Sequence, residues 1–325
     1  MARHEWLIIG ATLCAFTCTL VMPAHAQTYP ARAIRIIVPF PAGGTADLLP
    51  RVIAEKLSSS WGQPVIVDNR AGAAGNIGAE MVFNAEPDGY TLLSAPPPPL
   101  VINPSLYPKL AFDPTKFVPV SVMAAVPNVM LVHPKVPANN VRELIAWAKA
   151  QPDRLLYSSQ GGGTTSHLTT EMFKAAAGGL SATHVPYKGT APALAALLGG
   201  EVNLMFDNLG VSLQHVRAGR VKALAVCSEK RVASLPEVPA MAETYPGFVA
   251  VAWFGVVAPP RTPAAIAAKL SAAIADVLKL PEVAKRLTEL SAEPVGNTPA
   301  QMAAFMQEDA ARWRTVIRSA NVKLD

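Results

Sequence analysis

Two glycine-rich stretches carry the residues best placed to do chemistry in this 325-residue chain. The first, PFPAGGTADLL (39–49), follows the apolar run IRIIV (34–38) and precedes Leu48, Leu49, Val52, Ile53 and Leu57 at helical spacing. The second, QGGGTTSHL (160–168), follows a run ending at Ser159 and opens a helix with Thr164, Thr165 and Ser166. Each reads as strand, turn, helix. Glycine lets backbone come close to a bound group, and the first N–H groups of a helix have no partner within it. Such turns can present bare donors to an anion. They also describe plain tight turns before capped helices, because Thr and Ser are preferred N-caps. Two turns of one design favour the anion.

The acids near these turns admit two roles each. Asp47, just past the first turn, caps its helix or accepts a hydrogen bond from a ligand hydroxyl or ammonium. Pro50 is expected within the first helical turn, where its missing N–H does no harm. Asp207 closes the run VNLMFD, at a strand end facing a crevice, and caps the next helix or faces a ligand. Enzyme signatures are absent: no G-x-x-x-x-G-K-[ST], no G-x-S-x-G and no H-E-x-x-H occurs, and the first turn does not match G-x-G-x-x-G. His133, His167, His184 and His215 read as isolated from one another, without metal spacing. Ser166 and His167 are adjacent, and neighbours on a helix point about 100° apart, which disfavours pairing as nucleophile and base.

The elements that position these residues alternate. Strands are expected at 34–38, 64–69 and 91–94, with helices after the first turn and from about Asn76. Positions 95–117 are proline-rich and irregular, and 118–126 and 128–134 read as two extended segments. A second series follows: helices at 140–150, after the second turn, at 191–198 and near 210–217, and strands at 154–159, 182–187, 202–207 and 221–227. An extended run, 249–259, leads to helices near 263–279, 282–290 and 299–319. Alternation of this kind builds α/β sheets with ligands beyond the strand ends. If the last helices pack on the first sheet, the chain crosses between lobes twice, near 124–130 and 249–256, which makes a hinge and a cleft.

Residues 1–26 read as a cleavable secretory signal: Arg3, the apolar run Leu7–Met22, then Ala24-His25-Ala26. That run is shorter than the roughly 20 residues needed to span a bilayer. Its removal leaves Cys227 as the sole cysteine, so no internal disulfide is possible. The remainder suits two domains of about 150 residues each. The net charge of +5 is scattered, which gives nucleic-acid binding little support.

Taken in order, YPARAIRIIVPFPAGGTAD, VIVDNRAGAAGNIGAE, PDGYTLL, INPSLYPKLAFDP, GGGTTSHL, VPYKGTAPALAALLGGEVNLMFDN and WFGVVAP resemble the periplasmic solute-binding receptors of tripartite tricarboxylate transporters, the Bug family. The resemblance covers nearly all of the chain past the signal. It implies an α/β, two-lobed periplasmic-binding-protein (Venus flytrap) fold, each lobe a mostly parallel sheet flanked by helices. Lobe I would comprise 27–126 and 252–325, and lobe II 127–251. It implies a periplasmic protein, a monomer, not an enzyme, with no cofactor and no metal. Its ligand would be a small organic carboxylate held between the lobes, and its partner a membrane permease of the tripartite tricarboxylate type. A sensor protein is the alternative partner; a secreted hydrolase using Ser166 and His167 is less supported.

In the family the carboxylate meets the first turn, partly through water, and the second turn at its helix N-terminus. Carried over, these positions are Ala42, Gly43, Gly44 and Asp47, then Gly162, Gly163, Thr164 and Thr165; beside them Phe40 and His167, the latter a structural histidine or a cleft-wall residue, are further ligand-binding candidates. Ser94 and Asp207, which matches a recurrent acid, complete the expected set. One departure is the run APPPPL (95–100), where the family has small and hydroxyl residues. Prolines remove backbone donors and stiffen a loop. A drier cleft follows there, leaning away from a tricarboxylate such as citrate and toward a monocarboxylate, aromatic acid or other apolar-bodied ligand.

Overall fold

A computed structural model describes residues 29–152 and 154–324; the expected signal segment lies outside them. The described chain opens with β1 (Ile34–Val38), α1 (Thr45–Trp61), β2 (Val65–Asn69), α2 (Asn76–Phe83) and β3 (Thr91–Ala95). β1 lies between β2 and β3 and pairs parallel with both. Its side chains feed two cores. Ile34 and Ile36 pack with Leu49, Ile53 and Leu57 of α1, whereas Ile37 packs with Ala79 and Val82 of α2 and Leu93 of β3. A strand covered on both faces has no polar side to show, so its sequence is an apolar run rather than an alternation.

After the proline-rich stretch comes β4 (Val118–Val132). The two extended segments read from the sequence are one strand running through Pro127, and its partners change at that residue. Up to Pro127 it pairs with β9 (Val251–Ala258); from Asn128 it pairs with β7 (Leu204–Asn208) and β8 (Lys222–Val226). Pro127 has no N–H for a ladder and sits where the ladder changes hands. Between these come α3 (Val141–Ala150), β5 (Leu156–Ser159), α4 (Thr165–Ala176), β6 (Thr183–Pro186), α5 (Thr190–Gly199) and α6 (Leu209–Arg217). The chain closes with α7 (Ala264–Leu278), α8 (Pro281–Glu289), β10 (Glu293–Pro294) and α9 (Pro299–Ser319).

The strand order is β2-β1-β3-β9-β4-β7-β5-β6, with β8 and β10 joined to β4. Strands β2, β1, β3, β9 and the N-terminal stretch of β4, with β10, form the sheet of one lobe, lobe I; the C-terminal stretch of β4 with β7, β8, β5 and β6 forms the sheet of the other, lobe II. Parallel pairing is confined to β2-β1-β3 and β6-β5-β7, while β9 and β4 pair antiparallel with their neighbours. The sheets are therefore mixed rather than mostly parallel, because the strands that cross between lobes run against the βαβ series. Where they cross, Asn128 N–H donates to the Ala250 carbonyl at 3.0 Å and Cys227 N–H to the Asn128 carbonyl at 2.7 Å.

α7 and α8 bury Leu270, Ile274, Val283 and Leu287 against the α1 side of lobe I, and α9 buries Met302, Trp313 and Ile317 on the opposite face. There the indoles of Trp253 and Trp313 both donate to Asp309 Oδ2, at 2.7 and 3.1 Å. No helix among the described residues is long and apolar enough to cross a membrane.

Candidate functional site

The two glycine turns share a clamp. Gly43 lies at φ +88°, a conformation that glycine adopts freely, and its N–H donates to Asp47 Oδ2 at 3.0 Å. Gly163 lies at φ +80°, and its N–H donates to His167 Nδ1 at 3.1 Å. In each case a side chain four residues on, in the first turn of the helix, holds the turn shut.

Asp47 is 3% exposed, and its carboxylate also accepts from Arg51 Nε and Asn69 Nδ2, both at 2.9 Å. Burial pushes its carboxyl up, but the Arg51, Gly43 and Asn69 hydrogen bonds and the Arg51 charge outweigh this and hold it below the usual carboxylate range. Asp47 therefore spends its oxygens on the turn. Arg51, one helical turn on, is its ion-pair partner, and the i,i+4 spacing was readable in the sequence. Pro50 falls in the second turn, not the first, and leaves the Ala46 carbonyl without an intrahelical N–H.

His167 is likewise behind the cleft. Its ring stacks on His184 with centroids 4.1 Å apart and planes 4° apart, and Tyr157 stacks on the far side of His184 at 4.7 Å. The histidines are thus not isolated: β6 lies beside β5 and carries His184 under the start of α4. Burial lowers the pKa of both, that of His184 to about 3, helped by the charges of His167 and Lys174. Ser166 donates to the Phe206 carbonyl and does not pair with His167, so this serine and histidine form no nucleophile–base couple. Among the described residues no cluster of His, Cys, Asp or Glu could hold a metal ion.

Four helix N-termini converge between the lobes. The N-cap residues of α1, α4, α5 and α6 are Gly44, Thr164, Gly189 and Asn208, and all four line one cavity. Lobe II adds Gln160, Thr165 and Thr190; lobe I adds Phe40, Pro41, Ala46, Pro96, Pro98 and Phe254. One wall is polar and the other apolar, and no lysine or arginine lines either. The volume is about 20 Å³, room for one water-sized molecule. The lobes touch here. A Cβ on Gly44 would meet Thr190 Oγ1 at 2.9 Å, and one on Gly189 would meet Pro41 Cγ at 3.0 Å. Gly44 has ordinary extended backbone, φ −90°, so it is glycine because the other lobe approaches it.

The structure brings Phe40, Gly44, Thr164 and Thr165 to this cavity. Ala42, Gly43 and Asp47 shape the first turn behind it. Gly162 and His167 line a separate space of about 650 Å³ beside Tyr157, Glu171 and Lys174, where Leu324 lies against Gly162 and Gly163. Ser94 is 1% exposed and its hydroxyl finds no partner among the described residues. Asp207 is fully buried behind the cavity wall, accepting from Gln160 Nε2 at 2.8 Å and Ser212 Oγ at 2.5 Å. Burial pushes its carboxyl up to about 6, against the pull of Ser212, Gln160 and the Asn208 N–H. Gln160, Gly189, Thr190, Asn208 and Phe254 were not singled out by sequence. The clue within reach was that 189–190 and 208 also stand at helix starts.

Two α/β lobes joined by crossing strands, with helix N-termini gathered on a cavity between them, make a solute receptor of the periplasmic-binding-protein class. Within it the chain belongs to one family: residues 49–322 match the model described as "Tripartite tricarboxylate transporter family receptor". Protein BugT of Bordetella pertussis is 40% identical over 311 residues, 95% of each chain. The R. palustris protein Rpa4515, solved with adipate, is 39% identical with a TM-score of 0.88, over 91% of this chain and 99% of that one. MatC of Rhodopseudomonas palustris, solved with malate, is 34% identical with a TM-score of 0.84, over 89% and 100%.

Proposed function

We propose that this protein is a periplasmic receptor that captures a small carboxylate between its lobes and delivers it to a membrane permease of the tripartite tricarboxylate type. Lobe I comprises 27–126 and 252–325, lobe II 127–251, and the protein works as a monomer without cofactor. The observation that carries the reading is the convergence of four helix N-termini on one inter-lobe cavity. Each positive helix end favours a negative charge by about 0.3–1 kcal/mol, and up to about 2 where partly buried. The adipate and malate of the two solved relatives support a carboxylate. The apolar wall of Phe40, Pro96, Pro98 and Phe254, and the lack of a lining cation, support a single carboxylate on a partly apolar body.

Thermal unfolding with butanoate, benzoate, adipate, malate and citrate tests this, because a ligand of the folded form raises Tm by mass action. Monocarboxylates are expected to raise it and citrate to leave it unmoved. A panel with no effect would remove the carboxylate reading. Native mass spectrometry of protein purified without refolding identifies the mass that co-purifies. Small-angle scattering should show compaction on binding; an unchanged radius of gyration at saturation would remove the hinge.

A further inference from the structure

Gln160 and Asn208 are the amide side chains of the cavity wall, and each has its NH2 group held from behind. Gln160 Nε2 donates to Asp207 Oδ1 at 2.8 Å. An ionised carboxylate only accepts, so the Gln160 amide has one orientation. Asn208 is set by a longer relay. The Thr165 carbonyl can only accept, and Thr169 Oγ1 donates to it at 2.6 Å. With its proton spent, Thr169 Oγ1 accepts from Asn128 Nδ2 at 2.8 Å. Asn128 therefore turns its Oδ1 to Asn208, whose Nδ2 donates to it at 2.8 Å. Asn128 and Thr169 are fully buried, so no solvent competes.

Both chains end in a side-chain carbonyl, Gln160 Oε1 and Asn208 Oδ1, that accepts no hydrogen bond from the described residues. An N-cap asparagine ordinarily folds this oxygen back onto its own helix, but Asn208 makes no such bond. We propose that Gln160 Oε1 and Asn208 Oδ1 read a hydrogen-bond donor on the ligand, so that the solute is a small carboxylate bearing a hydroxyl or ammonium group. The acceptor role once open to Asp47 falls to these two oxygens, with Asp207 and Asn128 as positioning residues. The inference rests on the carboxylate reading of the cavity.

Titration calorimetry at pH 7.5 with butanoate, 2-hydroxybutanoate, 3-hydroxybutanoate and 2-aminobutanoate tests it. At least one substituted acid should bind tenfold or more tighter than butanoate, since a site built to pair a donor rejects the analogue that lacks it. The hydroxyl and amine arms tell which donor is read. In Asp207→Asn the new amide can donate to Gln160 and release it to turn over, and in Gln160→Met the acceptor is gone. The preference should fall below threefold in both. If Asp207→Asn does not fold, Gln160→Met alone decides. Butanoate binding as tightly as every substituted acid, or a preference that survives the variants, overturns this inference alone. If no acid binds, including benzoate and adipate, the carboxylate reading falls and this one with it.

Discussion

Replacing Asp207 by Asn should change how stability depends on pH, in a direction set by burial. In the folded protein the Asp207 carboxyl is pushed up to about 6; unfolded, it returns to the ordinary 3.8. Between those values the folded state holds a proton that the unfolded state has released. Stability therefore falls as pH rises through this window. The gap is worth roughly 3 kcal/mol, at about 1.4 kcal/mol for each pH unit between the two values. Other carboxylates act oppositely. Glu243, held to about 2 by Arg231 and the Ala240 N–H, and Asp47 contribute stability that is lost as pH falls. The wild-type curve alone thus mixes signs, and the difference between wild type and Asp207→Asn isolates the one group. Urea unfolding of both proteins at pH 4, 5, 6 and 7 gives that difference. The Asn variant should gain about 2 kcal/mol on wild type between pH 4 and pH 6–7, the rest of the gap lying below pH 4, and little further above pH 7. A difference flat across the series would mean that the hydrogen bonds from Ser212, Gln160 and Asn208 N–H match the cost of burial, and the argument from desolvation would fail.

Asp47→Ala should lower stability by about 2 kcal/mol, through the lost Gly43 and Asn69 hydrogen bonds more than the half-exposed Arg51 pair, as read from denaturant midpoints. Weakened binding at unchanged stability would instead put Asp47 on the ligand. Ser94→Ala should stabilise by about 1 kcal/mol, because it removes a buried hydroxyl without a partner; a lower Tm would show that the hydroxyl is satisfied. Gly44→Val should leave the fold intact and block closure, seen as no compaction by scattering with ligand, because its side chain meets Thr190. Thr190→Gly in the same chain should restore closure, and failure of that rescue would place the block elsewhere. Gly43→Val, at φ +88°, should instead lower Tm, since a β-branched residue resists that backbone.

The alternation of strands and helices was legible because strands such as β1 and β7 are short apolar runs between turns, and helices such as α1 and α9 show a buried stripe. The expected helix 299–319 is α9 to the residue. What escaped the sequence depends on partners distant in the chain. β4 continues through Pro127 only because β9 supports one side of that residue and β7 the other. His167 and His184 stack because β5 and β6 are neighbours, which spacing along the chain does not express. The glycine turns were recognised as turns, but their roles divide. Gly43 and Gly163 serve backbone conformation, whereas Gly44 serves the approach of the opposite lobe, and only the folded pair of lobes separates them.

The same geometry limits the charge the cavity can hold. Its positive potential comes from helix ends, and no side-chain cation lines it. Four such ends together offer a few kcal/mol to one anionic group placed among them. A second carboxylate about 4 Å from the first would cost about 4 kcal/mol at the effective dielectric of a protein surface, as much as the helix ends provide. Behind the wall, Asp207 adds another negative charge once it ionises above about pH 6. An arginine could repay a second charge, but Arg51, the one beside the first turn, is committed to Asp47 and Asn69. On the proposed carboxylate reading, helix ends in place of cations favour a ligand with one carboxylate, and the apolar wall of lobe I would supply the remaining affinity through buried area rather than charge.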